Sequence, residues 1–459
     1  MDYLSTRNNK LRKSFFDILF QGLSNDGGLF LPVNWPKVDI NNMNNLTYEE
    51  VALHTIQPFV GDDIAEEELK KIIHKTYQTF NHTQIAPLVK IEDNKYILEL
   101  FYGPTLAFKD YALQFLGNLF SFALERTKKN ITIIGATSGD TGSAAINAFK
   151  GKSDISVFIM HPHNKVSEVQ RRQMTTVTDE NIINIAIEGT FDDCQKIIKE
   201  LFVDREIQSK TSLTAVNSIN WARIIAQSVY FFWAYFQLDK SLDLSKLCYI
   251  VPSGNFGNIF SARVAKYMGL PINRLHIVTN QNDILHKTLS TGTMSINKVQ
   301  QTYSPSMDIQ ISSNFERQIF ESTQRDSIRV VNIMNDFQKN RFYKFSKDIQ
   351  NEMKNIYSSS AVSNDATLEA IKFFSDKYSY LADPHTATGL SVLQQYESDQ
   401  LFISLACAHP GKFGEAIEKA TGKVPTLPEE LKNIFDKKEK MIVLPNNFNT
   451  IKSLILKHL

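Results

Sequence analysis

The sequence predicts an α/β protein: two wound α/β units with largely parallel sheets, preceded by a mainly helical N-terminal domain. From about residue 95 onward, apolar strand-like runs alternate with longer helical patterns, as in βαβ units on a parallel sheet. Two of these runs lead directly into a glycine-rich turn and then a helical pattern. The strand-like runs are Ile131–Ala136, Ile155–Met160, Leu247–Val251, Leu275–Thr279 and Leu401–Ala406.

The chain of 459 residues is long enough for roughly three domains. We place an N-terminal extension domain at residues 1–94, a first α/β unit at residues 95–240 and a second at residues 241–459. Within the second unit, residues 301–359 are polar and irregular, and we treat them as an insertion without assigned elements. The residues after Lys423 are expected to form a C-terminal appendage with a short final helix.

The N-terminal domain contains two helical patterns and one strong turn. The helical patterns are Tyr48–Phe59 and Glu66–Phe80. The turn is Asn25-Asp26-Gly27-Gly28, and two prolines break the chain just after it.

The composition narrows the class of function. Hydrophobic residues make up 42% of the chain and charged residues 22%, which suits a sizeable packed core. Lysine and arginine number 50 against 49 for aspartate and glutamate, so the formal net charge is +1. This balance argues against a partner nucleic acid and against a membrane-surface protein. The longest aromatic and aliphatic run, Val229–Phe236, is too short for a span of about 18 residues.

The cysteines and one histidine pair indicate neither disulfides nor metal. Cys194, Cys248 and Cys407 are far apart and form no CxxC pair, which disfavours a disulfide scaffold or a zinc ribbon. We therefore expect a cytoplasmic protein. His161 and His163 do not have the spacing of two ligands on one helical face, so we expect no metal site.

The first candidate binding loop is Thr137–Gly142, between a predicted strand and a predicted helix. A helix N-terminus attracts anions because its N–H groups are unpaired and the helix dipole is positive there. Glycines allow close backbone approach, and Ser and Thr add hydroxyl donors. The alternative is an ordinary turn between strand and helix, capped by Asp140 or Thr141.

The second candidate loop is Ser253–Asn258, again after a strand and before a helix. It matches neither the Walker pattern nor the dinucleotide fingerprint. A glycine-rich turn with one serine and two asparagines suits a single phosphate monoester. The alternative is a tight connection between strand and helix with no ligand.

The third candidate is the segment Asn217–Arg223, which opens an apolar helical pattern. Arg223 lies in the first turn, where a cation opposes the helix dipole. The position is understandable if the guanidinium binds an anion. The alternative is a solvated arginine beside an asparagine cap.

One lysine completes the set. Lys109 precedes the segment Tyr111–Leu124, which is apolar on nearly all sides and predicts a buried helix. Desolvation lowers the pKa of an amine and so favours the neutral nucleophile. The alternative is that Lys109 reaches solvent or pairs with Asp110.

Together these features predict a coenzyme. A buried amine and one monoester site indicate pyridoxal 5'-phosphate attached to Lys109. Two further anion sites suit a substrate with a carboxylate and a phosphate of its own. A non-catalytic binding protein for small phosphates is the competing class, with Lys109 only an ion-pair partner.

The sequence resembles the threonine synthase family, pyridoxal-phosphate enzymes of fold type II, in its long N-terminally extended form. The resemblance runs over nearly the whole chain, in six blocks in the family's order. The six blocks are Tyr3–Arg7, Asp26–Pro32, Leu106–Asp110, Ala136–Gly142, Val251–Gly257 and Ala408–Phe413.

The resemblance implies a role for each site residue. Lys109 would bind the coenzyme covalently and move protons. The residues implied to contact the coenzyme are Lys109, Asp140, Ser253, Gly254, Asn255, Phe256, Gly257, Asn258 and Cys407. Those implied to bind the substrate are Thr137, Ser138, Gly139 and Thr141 at its carboxylate, and Asn217, Ser218, Arg223 and Lys412 at its phosphate.

The family's reaction converts O-phospho-L-homoserine and water to L-threonine and phosphate. The alternative within this resemblance is a phospho-lyase that turns a phosphorylated hydroxy amino acid into a 2-oxo acid. We expect a monomer or a homodimer.

Two positions leave alternatives open. The family usually has threonine at Cys407, as the partner of the coenzyme's ring nitrogen. A thiol is a weak donor and acceptor, so Cys407 either contacts that nitrogen weakly or only packs. His385 and His409 suit either active-site turns or structural turns that bond the backbone.

Overall fold

The computed structural model describes residues 1–396 and 399–459 and confirms the α/β class. Its strands are β1 (Tyr3–Ser5), β2 (Asn8–Lys13), β3 (Phe30–Pro32), β4 (Leu88–Glu92), β5 (Lys95–Glu99), β6 (Ile131–Ala136), β7 (Ile155–Pro162), β8 (Ile182–Glu188), β9 (Ser212–Thr214), β10 (Leu247–Pro252), β11 (Arg274–Thr279), β12 (Thr293–Ser295), β13 (Phe342–Lys344), β14 (Tyr357–Ala361), β15 (Leu401–Ala406) and β16 (Ile442–Pro445).

The α-helices lie between and around these strands. They are α1 (Phe15–Gln21), α2 (Tyr48–Val60), α3 (Glu66–Tyr77), α4 (Lys109–Thr127), α5 (Asp140–Phe149), α6 (Glu168–Thr175), α7 (Phe191–Val203), α8 (Arg205–Lys210), α9 (Trp221–Phe236), α10 (Gly257–Met268), α11 (Ile284–Thr291), α12 (Phe315–Ser322), α13 (Ser327–Asn340), α14 (Lys347–Ile356), α15 (Asn364–Tyr378), α16 (Pro384–Leu393), α17 (Gly414–Thr421) and α18 (Phe448–His458).

The N-terminal part holds helices α1–α3 and a small antiparallel sheet in the order β2-β1-β3. The two predicted helical patterns are α2 and α3, whereas the short strands had no clear signal. Capping boxes start α1 at Ser14 and α2 at Thr47. In each, the hydroxyl accepts a backbone N–H while an acidic side chain three residues later accepts the cap's own N–H.

A five-stranded parallel sheet has the order β16-β8-β7-β6-β9. The predicted strands Ile131–Ala136 and Ile155–Met160 are β6 and the first part of β7. The edge strand β16 comes from the C-terminal appendage and pairs with β8. The appendage therefore completes the sheet of the first α/β unit.

A six-stranded sheet has the order β14-β11-β10-β15-β5-β4 and is parallel except for the β4–β5 hairpin. Strand β5 lies in this sheet with β10, β11 and β15, although the predicted boundary puts residues 95–240 in the first unit. Strand β5 belongs to this sheet because it forms hydrogen bonds with β15. The residues that surround β5 in the sequence do not determine which sheet it joins. The three-part division of the chain stays a prediction.

The segment 301–359, which carries no assignment from its sequence, contains regular structure. Helices α12–α14 and strand β13 lie within it, and β14, which begins in it at Tyr357, joins the edge of the six-stranded sheet. In α14, Ile349, Met353 and Ile356 form a buried stripe on an otherwise polar helix. Because most residues of such amphipathic helices are polar, the few apolar positions give only a weak periodic signal in the sequence.

Helix α4 crosses the main hydrophobic core and packs on α3, α5 and α9. Its residues are buried on nearly all sides over the first half, as predicted. The core thus holds the amine at the start of α4 away from water. No helix within residues 1–396 and 399–459 is both long and apolar enough to cross a membrane.

Candidate active site

Lys109 is the first residue of α4, and its side chain is buried. Its Nζ donates to Oδ2 of Asp140 at 3.3 Å and to Oγ of Ser306 at 3.0 Å. Burial lowers the pKa of Lys109 below that of an ordinary lysine, although the carboxylate of Asp140 opposes this. Asp110 is not its partner, because that carboxylate accepts the N–H and the hydroxyl of Thr105.

Asp140 is the centre of a buried charge cluster. One oxygen accepts from Nζ of Lys412 at 2.7 Å and from Nε2 of Gln170 at 2.8 Å, and the other accepts from Lys109. Burial alone would raise the pKa of Asp140, but the charges of Lys412 and Lys109 outweigh it and hold the pKa well below its usual range. The cluster is therefore an ion-paired carboxylate between two lysines.

Lys412 lies in this cluster, and its Nζ also donates to the carbonyl of Thr105 at 2.8 Å. These contacts connect Lys412 to the amine end of the site. Its expected role at the substrate phosphate stays a prediction.

The loop Thr137–Gly142 is tightly wound. Oγ1 of Thr137 accepts the N–H groups of Gly139 and Gly142 at 3.0 and 2.8 Å. Gly139 has φ +145°, and a Cβ there would lie 2.5 Å from the side chain of Gln170, so only glycine fits. The hydroxyl of Thr137 thus shapes the loop, while Ser138 and Thr141 are half-buried.

The loop Ser253–Asn258 ends β10 and starts α10. Phe256 occupies the N-cap in the left-handed region at φ 61°, a strained conformation for a bulky residue. Oδ1 of Asn258 accepts from the hydroxyl of Tyr230, so its amide nitrogen remains as a donor. That nitrogen and Oγ of Ser253 are buried without a partner among the described residues.

Those unpartnered donors are a test of whether a phosphate fits. Buried polar groups in native proteins nearly always have hydrogen-bond partners, and each exception needs an explanation. Ser253 Oγ and Asn258 Nδ2 lie in a loop at the start of α10, where the N–H groups and the helix dipole favour an anion. A phosphate monoester would satisfy all of these groups, so the residues fit the coenzyme's phosphate.

Arg223 lies in the first turn of α9, as predicted, and Asn220 is the N-cap. The guanidinium is buried; Nη1 donates to the carbonyl of Val216 at 2.9 Å, and Nε has no partner among the described residues. Burial lowers the pKa of Arg223 to about 10. A buried cation without a carboxylate partner is costly unless an anion joins it.

The third candidate segment also meets the second. Oγ of Ser218 accepts from Nδ2 of Asn314, which donates to the carbonyl of Asn255 as well. Asn217 is exposed. Burial is the main cause of the lowered pKa of Lys109, and the positive charge of Arg223 adds to it.

Cys407 follows β15 and is buried. Its carbonyl accepts from the N–H of Phe108, and its N–H donates to Oγ1 of Thr386. Burial raises the pKa of the thiol well above its usual range, so Cys407 is neutral. Because Phe108 directly precedes Lys109, its hydrogen bond to Cys407 attaches the end of β15 to the start of α4.

Several residues at the site have no signal in the sequence that singles them out. Ser306 contacts Lys109, and its backbone N–H donates to Nε2 of His385 at 3.2 Å. Nδ1 of His385 is 2.8 Å from Oδ1 of Asp383, so His385 anchors the loop that carries Ser306. Ser306 and Asn314 both come from the unassigned segment 301–359, where nothing in the local pattern marks them.

Ser306 connects the buried amine with the phosphate loop: its hydroxyl accepts from Lys109, and a Cβ on Gly254 would lie 3.3 Å from its carbonyl oxygen. A buried amine close to a loop whose donors lack partners among the described residues, on two wound α/β units, is typical of a pyridoxal-phosphate-dependent enzyme. Three family descriptions match the chain: "Threonine synthase N terminus" at residues 2–77, "Pyridoxal-phosphate dependent enzyme" at residues 81–336 and "Threonine synthase, C-terminal" at residues 386–455. The chain belongs to the threonine synthase family, and its coenzyme is pyridoxal phosphate.

Individual relatives are similar to this chain over nearly their whole lengths. Threonine synthase of Pseudomonas aeruginosa is 43% identical, covering 100% of this chain and 98% of that protein. Threonine synthase of Saccharomyces cerevisiae is 42% identical, covering 96% of this chain and 94% of that protein. The crystal structure of PLP-bound threonine synthase from Brucella melitensis is 42% identical with a TM-score of 0.96, covering 100% of this chain and 99% of that one.

Proposed function

We propose that this chain converts O-phospho-L-homoserine and water to L-threonine and phosphate, the last step of threonine biosynthesis. Phosphate leaves from the γ-carbon, and water then adds at the β-carbon. Relatives 42–43% identical over nearly the whole chain are named threonine synthase, which supports this reaction over a phospho-lyase that yields a 2-oxo acid. The observation that carries the proposal is Arg223, a second anion site beside the one that fits the coenzyme's phosphate.

When bound, the coenzyme supplies an electron sink that makes the protons next to the substrate's amino group acidic. Lys109 would hold the coenzyme covalently. Its lowered pKa suits an amine that must be neutral at moderate pH to act as a base. Once displaced by the substrate's amine, Lys109 would take the α-proton and then move protons at the β-carbon.

The ion pairs around Asp140 would keep the amine in place between these transfers. Asp140 accepts from Lys109 and Lys412, so it restricts where Nζ can go. Asp140 would also lie near the coenzyme's ring hydroxyl. The hydroxyl of Ser306 would help to hold the amine as well, since its Oγ accepts from Nζ of Lys109 at 3.0 Å.

The substrate's two anionic groups would have separate sites. The loop with Thr137, Ser138, Gly139 and Thr141 would receive the carboxylate at the start of α5, through N–H groups and hydroxyls. Arg223, Asn217 and Ser218 would bind the phosphate. Nε of Arg223, which has no partner in the described part of the chain, would stabilise the charge that develops as phosphate leaves.

Cys407 would face the coenzyme's ring nitrogen as a neutral group. The thiol is uncharged because burial raises its pKa, so it cannot stabilise a positive ring. Catalysis would then depend on the amine and on the anion sites.

The wider setting of the enzyme is also a proposal. All the groups described above lie in one chain, which suits a monomer or a homodimer. Cys194, Cys248 and Cys407 are free and buried, as expected in a reducing compartment such as the cytoplasm.

Product analysis tests the reaction. The purified holoenzyme is incubated with O-phospho-L-homoserine and, separately, with O-phospho-L-threonine. We expect threonine and phosphate in equal amounts from phosphohomoserine, and little product from phosphothreonine. A 2-oxo acid as the main product from either substrate would contradict the proposal and favour the phospho-lyase.

A further inference from the structure

The first turn of α12 joins the two loops that we assign to phosphates. Asn314, the residue just before α12, is fully buried. Its Nδ2 donates to Oγ of Ser218 at 3.2 Å and to the carbonyl of Asn255 at 3.1 Å, and its backbone N–H also reaches Asn255. One amide therefore connects the substrate-phosphate segment with the coenzyme-phosphate loop.

Arg317, one turn later, fixes the orientation of that amide. Its Nη1 donates to Oδ1 of Asn314. A guanidinium only donates, so the oxygen of Asn314 must face it and the nitrogen must face the loops. Nη2 of Arg317 donates to the carbonyl of Ile219 at 2.7 Å, within the segment that leads to Arg223.

The same turn is attached to the N-terminal domain. Nε of Arg317 donates to the carbonyl of Phe30 at 3.1 Å. The neighbouring Glu316 accepts from Oγ1 of Thr6 at 2.6 Å and from two nitrogens of Arg7 at 3.0 and 2.8 Å. The first 32 residues therefore hold the helix turn that carries Asn314.

The nature of these contacts points to a positioning role. Arg317 is fully buried, and its guanidinium donates to two backbone carbonyls and one amide oxygen. Neutral acceptors offset the burial of a cation less well than a carboxylate does. The planar fork, however, sets three directions at once, which an apolar side chain cannot do.

We propose that Asn314 and Arg317 are positioning residues that hold the two phosphate loops in fixed relation and make the N-terminal domain part of the active site. The inference rests on the proposed function. Neither residue needs to touch the coenzyme or the substrate. Loss of either residue would weaken binding at both phosphate sites together, because both loops form hydrogen bonds with the same amide.

The test uses Asn314→Ala, Arg317→Met, the double variant and a matched control, Arg325→Met. Arg325 lies just beyond the other end of α12 and also binds the N-terminal domain, through the carbonyls of Pro32 and Val33. Within the part of the chain that the structure describes, Arg325 makes no hydrogen bond to Asn314. Each protein is tested for thermal midpoint, coenzyme affinity by absorbance titration, and kcat and KM for O-phospho-L-homoserine.

We expect Asn314→Ala and Arg317→Met each to weaken coenzyme affinity and to raise KM by about tenfold, the scale of a lost hydrogen bond to a charged group. The double variant should be no more than about twofold worse than the single variants, because Arg317 acts through Asn314. Arg325→Met should lower the thermal midpoint about as much as Arg317→Met does. Its coenzyme affinity and its KM should nevertheless stay within about twofold of the wild-type values.

Three results would overturn the inference: multiplied losses in the double variant, unchanged constants in Arg317→Met, or equal losses in Arg325→Met. The wild-type protein separates this inference from the proposed function. If the wild-type protein makes threonine and Arg317→Met has the same coenzyme affinity and KM, the inference fails and the function stands. If it binds coenzyme but makes no threonine, the function fails and the coenzyme affinities still decide the inference.

Discussion

The amine end and the anion end of the site differ in how their polar groups are satisfied. At the amine end, Asp140 pairs with Lys109 and Lys412, and Gln170 completes the cluster. At the anion end, Ser253, Asn258 and Arg223 each retain a buried donor atom without a partner among the described residues. The side chains at both ends are buried. Burial therefore does not explain why only the anion end keeps donors without partners.

The difference shows which part of the site the protein completes by itself. At the amine end the carboxylate of Asp140 binds Lys109, Lys412 and Gln170, so the amine is held in place before any ligand arrives. The anion end carries surplus donors, and such groups are destabilising until a partner satisfies them. Ligand phosphates should therefore contribute stability mainly there, and the following variants test this contrast.

The largest effect is expected from Lys109→Ala. Removal of the amine eliminates both the covalent attachment and the base, so activity should fall by about 1,000-fold or more. Absorbance of the coenzyme after gel filtration and threonine formation are the measurements. The exposed Lys150→Ala serves as a control and should behave like wild type. Retained coenzyme colour together with turnover in Lys109→Ala would disprove the assignment.

Arg223→Ala should have the next largest effect. The variant removes the cation of the anion end, so KM for O-phospho-L-homoserine should rise by about tenfold to a hundredfold. Coenzyme affinity should change much less. Arg223→Lys should be intermediate, because an ammonium keeps the charge but not the planar fork. Equal losses of substrate and coenzyme binding in Arg223→Ala would contradict a specific role at the substrate.

Ser253→Ala should act with opposite sign on the free and the loaded protein. Removal of an unsatisfied buried hydroxyl should raise the free energy of unfolding of the coenzyme-free protein by about 1 kcal/mol. Coenzyme affinity should fall by about tenfold. Ser404→Ala is the matched control, since Oγ of Ser404 is also buried and unpartnered among the described residues.

Ser404→Ala should stabilise the coenzyme-free protein to a similar extent and leave coenzyme affinity unchanged. Chemical denaturation of both forms and a coenzyme titration supply the numbers. If Ser253→Ala binds coenzyme as tightly as Ser404→Ala does, the serine does not contact the phosphate.

The smallest effect is expected from Cys407→Ala. A neutral thiol is a weak hydrogen-bond partner, so coenzyme affinity and kcat should change by less than about threefold. The absorbance maximum of the holoenzyme should also stay in place. A loss well beyond this range, with an unchanged thermal midpoint, would mean that the thiol is a strong partner of the ring nitrogen, contrary to the weak contact proposed here.

The local parts of the site could be predicted because their signals are local. The strands Ile131–Ala136 and Leu401–Ala406 have the bounds that their apolar runs indicate. The glycine-rich loops after β6 and β10 start helices as expected. The apolar sequence after Lys109 correctly indicated a buried helix, because a helix without a polar face has nowhere else to lie.

Long-range pairing could not be predicted in the same way. Strand β5 joins the six-stranded sheet through β15, more than 300 residues later, and β16 joins the other sheet through β8. The apolar pattern of a strand indicates that the strand is buried, but it does not indicate which other strand it pairs with. Ser306 and Asn314 were missed for the same reason, since only packing brings segment 301–359 to the loops.

The sequence by itself determined the fold class, the buried amine and the three helix starts that are candidate anion sites, because periodicity, glycine and helix starts act over a few residues. The tertiary structure alone decided the partners: Lys412 at Asp140, Ser306 at Lys109, and Arg317 at Asn314. Charges and hydrogen bonds act over a few ångströms in space, and the distance along the chain says little about which groups come that close.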